Sequence, residues 1–172
     1  SEREKVVIIS TGGTLLSTRA AGKPVLKVND LINKFPKLKK YNLEIESLFS
    51  LDSANFLPYM WVKLAKCIYE KLKDDSCKGI VVIHGTDTMS YSAAAISFMV
   101  QNPGKPIVFT GSQSFPDEIG TDAERNLEDA IRVAFSSDLK ESVILSHHRI
   151  IRGNKARKVK ERSYDAFQSI GM

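Results

Sequence analysis

The sequence predicts an α/β fold: an open, mostly parallel sheet flanked by helices on both faces, with a C-terminal β-hairpin. Three observations carry this. Short runs that are apolar throughout recur along the chain, at Val6-Val7-Ile8-Ile9, Ile80-Val81-Val82-Ile83, Ile107-Val108-Phe109 and Val143-Ile144-Leu145, as strands buried on both faces require. Stretches of helical periodicity lie between them. Three of the strands are followed by glycine and a hydroxyl residue, at Gly12-Gly13-Thr14, Gly85-Thr86 and Gly111-Ser112.

Taken in order, residues 6–10 form a buried strand that stops at Thr11-Gly12-Gly13. Residues 41–49 read as another strand, with Leu43, Ile45 and Ser47 on one face. Pro58 suits a first helical turn, and Trp61, Leu64, Ala65, Ile68 and Leu72 follow at helical spacing. Residues 88–100 are apolar nearly all round, so this helix is expected to be buried. Thr121-x-x-Glu124 is a capping-box pattern, and Leu127, Ala130, Ile131 and Ala134 form the stripe behind it. Near the C-terminus, a solvated hairpin is expected around Arg152-Gly153-Asn154.

Composition limits the function classes. The 172 residues suit about one domain at roughly 150 residues each. With 42% hydrophobic and 26% charged residues, disordered, collagen-like and long coiled-coil chains are excluded. No apolar run approaches the roughly 20 residues of a membrane span, and residues 6–9 are too short for a signal-peptide core. A cytoplasmic, soluble protein is therefore expected, with no membrane partner. Cys67, in a helical pattern, and Cys77, in the turn after it, are expected to be a reduced pair. The formal charge is +5, yet residues 149–162 alone hold seven Lys and Arg against Glu161, leaving the remainder close to neutral.

If the sheet is parallel, the three glycine-hydroxyl loops emerge on one edge, where open α/β sheets form their sites. Gly12-Gly13-Thr14 lacks both the Lys-Ser/Thr of a P-loop and the spacing of a dinucleotide fingerprint. A hydroxyl held by glycines near backbone N–H groups is instead what an acyl-transfer nucleophile requires. His84-Gly85-Thr86-Asp87-Thr88 is richer in polar groups than a turn needs. Either Asp87 or Thr88 caps the following helix, or Thr86 and Asp87 face the same cleft as Thr14, with the carboxylate placed to bind an ammonium. His84 has no Cys or His at ligand spacing, and the adjacent His147 and His148 would point to opposite faces, so no metal is expected. There is no Gly-x-Ser-x-Gly. The basic segment could be a solvated hairpin, a phosphate contact or the carrier of one inward lysine. Only Tyr164 and Phe167 follow it, which leaves stacking recognition of single strands unsupported, and no nucleic-acid partner is expected.

Together these residues resemble the N-terminal domain of the bacterial-type L-asparaginases, nearest the cytosolic type I branch. Thr11-Gly12-Gly13-Thr14 is similar to the family's first threonine motif. His84-Gly85-Thr86-Asp87-Thr88-Met89, continuing through Ser90-Tyr91-Ser92-Ala93-Ala94-Ala95, is similar to its second. Asp52-Ser53-Ala54-Asn55, Phe109-Thr110-Gly111-Ser112-Gln113, Arg152-Gly153-Asn154 and Asp165-Ala166-Phe167 fall in matching order. The resemblance covers essentially the whole chain. It implies one asparaginase-type domain over residues 1–172, without the family's smaller C-terminal domain. It also implies hydrolysis of L-asparagine to L-aspartate and ammonia through an acyl-threonine intermediate, without a cofactor.

By the same resemblance, Thr14 is the nucleophile, and Thr86 and Lys158 form a hydroxyl–amine pair with Asp87 beside them. Asp87 binds the substrate's α-ammonium and Ser53 its α-carboxylate, with Gly85 lining the pocket. Ser112 contacts the amide group through its backbone carbonyl, and the N–H groups of Gly13 and Thr86 are oxyanion candidates. The working enzyme is expected to be a homo-oligomer completed by the C-terminal domain. The chain departs from the family pattern at residues 17–24, which lack the flap tyrosine and carry Lys23 near its place. The ammonia-supplying subunit of a tRNA-dependent amidotransferase shares both threonine motifs and remains an alternative, though Ala54 stands where those enzymes tend to have Glu. A non-catalytic amino-acid-binding domain that keeps Asp87 and Ser53 is a third reading.

Overall fold

The computed structural model describes residues 3–12, 27–51, 56–111, 123–136, 138–146, 149–158 and 167–169; from 155 onward it describes the backbone. Within these residues β1 (Lys5–Gly12), β3 (Cys77–Ile83), β4 (Ile107–Thr110) and β5 (Ser142–Ser146) are the four apolar runs read from the sequence. With β2 (Leu43–Leu51) and β6 (Arg149–Arg152) they make one sheet in the order β2-β1-β3-β4-β5-β6. Every neighbouring pair is parallel except β5–β6. The chain thus winds outward in two directions from the β1–β3 pair.

Strand alternation splits the core in two. Val7, Ile9, Ile80, Val82 and Phe109 face α2 (Pro58–Leu72) and α3 (Met89–Met99). Val6, Ile8, Val81, Ile83 and Val108 face α1 (Val28–Lys34), a 3-10 turn over Pro36–Lys40, and α4 (Ala123–Ser136). Both sheet faces are covered, which is why these strands are apolar throughout. In α4, Leu127, Ala130, Ile131 and Ala134 are buried as their spacing predicts; Thr121 of the capping pattern lies outside the described residues.

Three expectations need correction. The helix over 88–100 is not buried all round: α3 buries Met89, Ser90, Ser92, Ala93 and Ile96 but leaves Tyr91, Phe98 and Met99 exposed. Only one side of it meets the sheet, and among the described residues no further layer covers Tyr91, Phe98 and Met99. The spacing read for α2 holds: Leu64, Ala65 and Ile68 are buried with Met60, while Trp61 and Leu72 pack half-buried against the same core, and Trp61 donates its indole N–H to Ser92 Oγ at 2.8 Å. Arg152-Gly153-Asn154 is not a hairpin tip. Ser146 pairs with Arg149, so the reversal precedes β6, and a 3-10 turn over Gly153–Lys155 then leads into β7 (Ala156–Lys158). β7 pairs antiparallel with β8 (Phe167–Ser169) in a separate ribbon. Cys77 opens β3 and is buried rather than lying in the preceding turn; both cysteines are free.

The amino-terminal edge of the sheet is tied by ions. Lys5 meets Glu44 at 3.1 Å and Asp74 at 3.0 Å, and Lys71 meets Glu44 at 2.9 Å and Glu46 at 2.8 Å. Hydrogen bonds from Ser76 and Lys5 hold the Asp74 carboxyl well below its usual range.

Helix α4 lies so close over β3 that a Cβ at Gly79 would stand 2.6 Å from the Ala134 carbonyl oxygen. Gly79→Ala is therefore expected to destabilise the domain by about 1–3 kcal/mol in urea denaturation. Adding Ala134→Gly should not restore the loss, because the contact is with backbone.

Candidate active site at the carboxyl edge of the sheet

Register brings the strand ends level. Ser10 of β1 stands beside Ile83 of β3, and Ile83 beside Thr110 of β4. Thr11-Gly12, His84-Gly85-Thr86 and Gly111 therefore emerge together on one edge, as the glycine-hydroxyl pattern suggests. Between β1 and β3 the strand order reverses, and a crevice at such a point is where ligands bind in open α/β sheets. The β1–β2 register also slips here: Ser10 pairs with Ser47 but Gly12 with Leu51. Such an irregularity bends a strand pair next to a site.

Buried hydrogen bonds stitch the strand ends together. Thr11 Oγ1 donates to Ile83 O at 2.7 Å, the His84 backbone N–H to Thr110 O at 2.9 Å, and Thr110 Oγ1 to Leu145 O at 3.1 Å. From α4, the fully buried Asn126 donates its Nδ2 to Gly111 O at 3.0 Å. Gly111 must be glycine, since a Cβ there would run into the His84 carbonyl.

His84 holds the second loop. It is buried between Phe56 and Phe109, with ring centroids 4.7 and 6.3 Å away. Burial pulls its pKa down to about 4, so the ring is neutral at pH 7. Its Nδ1 lies 2.8 Å from Gly85 O, which can only accept, and this fixes the proton on Nδ1. Nε2 has no partner among the described residues. The peptide is planar and trans, so a Gly85 carbonyl turned to the ring turns the Thr86 N–H the opposite way.

Of the candidate residues, Gly85 is buried, Thr86 half-buried and Asp87 exposed, in the short turn that leads into α3. The N-cap position of α3 falls to Thr88, which makes no side-chain capping bond. Lys158 is the last residue of β7, paired with Phe167, and β7 lies against α3. Gly13, Thr14, Ser53 and Ser112 lie outside the described residues, as do His147 and His148. Among the described residues no three His, Cys, Asp or Glu converge as metal ligands.

Thr11, Thr110, Asn126 and the anchoring role of His84 escaped sequence reasoning. The two threonines carried a signal, a hydroxyl directly before glycine at the end of an apolar run. Asn126 carried none, because a buried polar position on an amphipathic helix reads as a break in the stripe.

A doubly wound α/β domain with its polar loops gathered at the switch point is the class that this fold and edge define. The family model for the asparaginase N-terminal domain matches residues 5–172, and the chain belongs to that family. Among curated relatives, a glutamyl-tRNA(Gln) amidotransferase subunit of Sulfurisphaera tokodaii is 38% identical over 98% of this chain and 40% of its own length. The corresponding amidotransferase subunit of Methanosphaera stadtmanae is 36% identical over 99% of this chain and 41% of its own. Among solved structures, the thermostable L-asparaginase of Thermococcus kodakarensis superposes with a TM-score of 0.85 at 32% identity, over 96% of this chain and 51% of that one. A Campylobacter jejuni structure described as "Probable Cytoplasmic L-asparaginase" gives 0.86 at 25%, over 97% and 52%. The chain thus spans about two-fifths of these curated relatives and about half of these solved chains.

Two outcomes follow from the stitched edge. Thr11→Val keeps the shape but removes the buried hydroxyl bond to Ile83 O, so about 0.5–1.5 kcal/mol of stability should be lost in denaturant titration. His84 binds its proton less readily folded than unfolded. Its contribution should be intact above about pH 6.5 and fade as pH falls toward about 4. His84→Asn keeps a donor near Nδ1 without a titrating ring. The stability difference between wild type and this variant should therefore shift across that window and level off below it.

Proposed function

We propose that this chain is the nucleophile-bearing domain of an amidohydrolase that converts L-asparagine to L-aspartate and ammonia. The observation that carries the reading is that the loop of Thr86 and Asp87 leaves β3 beside the end of β1 at the switch point, with Asp87 exposed. Membership of the asparaginase family and the likeness to two L-asparaginase structures support it.

In this reading Thr14 Oγ attacks the side-chain amide carbon of asparagine. Its proton passes through the Thr86 hydroxyl to the neutral amine of Lys158, a group whose pKa falls when it is desolvated. The developing oxyanion takes N–H donors at Gly13 and Thr86, the latter oriented by the His84–Gly85 bond. Collapse expels the nitrogen as ammonia with the proton from Lys158 and leaves Thr14 acylated through its oxygen. Water adds to the ester carbon, Thr14 regains its proton, and L-aspartate leaves. Asp87 holds the α-ammonium, Ser53 the α-carboxylate, and the Ser112 carbonyl the amide group, with Gly85 alongside. The complete enzyme is a cytoplasmic homo-oligomer that includes a C-terminal domain. Among the described residues no helix is long and apolar enough to cross a membrane.

A second reading comes from the curated relatives, which are named as amidotransferase subunits. In it the same edge releases ammonia for amidation on a glutamyl-tRNA.

The test is ammonia release from L-asparagine by this chain alone and joined to the C-terminal half of a family member. Activity is expected in the joined form. Thr14→Ala should abolish it, and Lys158→Met should lower kcat by about 10²–10⁴-fold. Full turnover by a folded Thr14→Ala protein would remove the nucleophile assignment. Tight tRNA binding that weakens steeply with salt, without turnover of free asparagine, would favour the second reading.

A further inference from the structure

The amino edge of the sheet carries a hollow of its own, on the side away from the candidate active site. Its walls come from three segments: Arg3 ahead of β1, Lys40, Tyr41 and Asn42 between the 3-10 turn and β2, and Arg132 and Phe135 on α4. The segments meet because β1 and β2 are neighbours; the Asn42 side chain donates to Glu4 O at 3.0 Å. The volume is about 530 Å³, within the roughly 300–1,000 Å³ of small-molecule sites. Nothing in the proposed mechanism uses it.

The hollow is a built one. The Tyr41 ring stacks on Phe135, with centroids 6.1 Å apart and planes 20° from parallel, and both side chains are half-buried. The Tyr41 hydroxyl donates to Glu128 Oε1 at 3.1 Å and accepts from Arg132 Nε at 3.1 Å. Lys40 reaches the same Glu128 oxygen at 3.1 Å, and its Nζ lies 5.3 Å from the Tyr41 ring centroid. One carboxylate thus pins an aromatic floor and two cations, and Arg3 adds a third, exposed cation. Against these three stand Glu128 and Glu4, and Glu4 is drawn to Lys78, outside the hollow, at 3.8 Å. Positive charge is left over.

We propose that this hollow binds a nucleotide, with the base against the Tyr41–Phe135 pair and the phosphate among Arg3, Lys40 and Arg132. A bare anion would leave the rings unused, and an apolar ligand would take water from three cations and return nothing. A flat ring that carries negative charge uses both. Aromatic side chains stack on the face of any base, and the arginine fork matches phosphate oxygens in pairs. Lys40 is long and exposed, so it can leave the Tyr41 ring for the phosphate.

A free mononucleotide and one residue of an RNA strand share this chemistry. The 3-10 turn carries positive charge onward from the hollow through Lys37 and Lys39, both exposed, where the neighbouring phosphates of a strand would be neutralised. The basic run at residues 149–162 plays no part. These cations come from distant points of the chain, at residues 3, 40 and 132. The site lies at the opposite edge of the sheet from Thr86 and Asp87, so it does not rest on the proposed activity.

Isothermal titration calorimetry of the whole chain with AMP, GMP, CMP and UMP in turn tests the site. At least one should bind with a Kd below about 1 mM, and its nucleoside and inorganic phosphate should each bind at least about tenfold more weakly. Arg3→Ser and Arg132→Ser should each weaken the nucleotide by about tenfold or more, with an unchanged circular dichroism spectrum. Tyr41→Leu should weaken it by about 5–100-fold. Lys66→Ser, on α2 across the sheet, should change nothing. A labelled RNA of about 12 residues of the preferred base, followed by fluorescence anisotropy, separates the two sources. Binding at least about tenfold tighter than the mononucleotide, weakened by salt and by Lys37→Glu with Lys39→Glu, supports the site with an RNA strand as its ligand. Binding no tighter supports it with the free nucleotide. No mononucleotide binding below about 1 mM overturns the proposal, whatever the RNA does. So does inorganic phosphate that binds as tightly as the nucleotide, and so does an affinity that survives Tyr41→Leu or both arginine substitutions.

Discussion

The carboxyl edge of the sheet depends on a row of buried hydrogen bonds at the strand ends. Where parallel strands stop inside a domain their last carbonyls lie away from water, and an unpaired buried acceptor costs about 1–3 kcal/mol. Here each is met from the neighbouring strand or helix: Ile83 O by Thr11, Thr110 O by the His84 N–H, Leu145 O by Thr110 and Gly111 O by Asn126. The donors come from β1, β3, β4 and α4, so the bonds fix these elements against one another at the level where the loops depart. The polar loops rise from this fixed floor, and Gly111 is the point at which the floor leaves no room for a side chain.

The opposite edge is held differently. Lys5, Glu44, Lys71, Glu46 and Asp74 form a chain of ion pairs linking β1 and β2 to α2 and to the turn before β3. These groups remain partly open to water, where solvent and salt weaken each pair, so the network serves register more than stability. At the carboxyl edge the stitching is neutral and buried. That choice suits a site, because fixed ions there would set the pKa of every titrating group in the loops. His84 is the case in point: desolvation alone keeps it uncharged, and it orients a peptide plane without adding a charge beside Thr86 and Asp87.

How far the sequence discloses this depends on the length scale of each signal. The parallel sheet was legible because four runs, each apolar on both faces, admit few other arrangements. The shared edge was legible because glycine followed by a hydroxyl residue repeats at three strand ends. The stitches were not, since Thr11 pairs with a carbonyl 72 residues away and Thr110 with one 35 away, and no local pattern encodes such partners. The exposed side of α3 misled for the reverse reason. An apolar helix has the same composition whether the second half of its circumference meets its own domain or another molecule. The 3-10 turn at Gly153–Lys155 was missed because glycine marks a turn without saying whether the strands it joins belong to one sheet or two.

Helix α3 joins the polar edge to the apolar outer face. Its inner side packs Met89, Ala93 and Ile96 into the core, and its first turn follows directly on Thr86 and Asp87. Its outer stripe starts at Tyr91, four residues past Asp87. Asp87 lies in the turn directly ahead of the helix, so whatever covers Tyr91 comes near its exposed carboxylate. The geometry of the loop and the occupancy of the outer face are therefore not independent. A body seated on α3 narrows the solvent around Asp87, lowers the local dielectric and strengthens any charge–charge contact made there. The exposed apolar side chains of α3 and the exposed Asp87 carboxylate in the turn ahead of it are thus neighbours, and whatever covers the first changes the surroundings of the second.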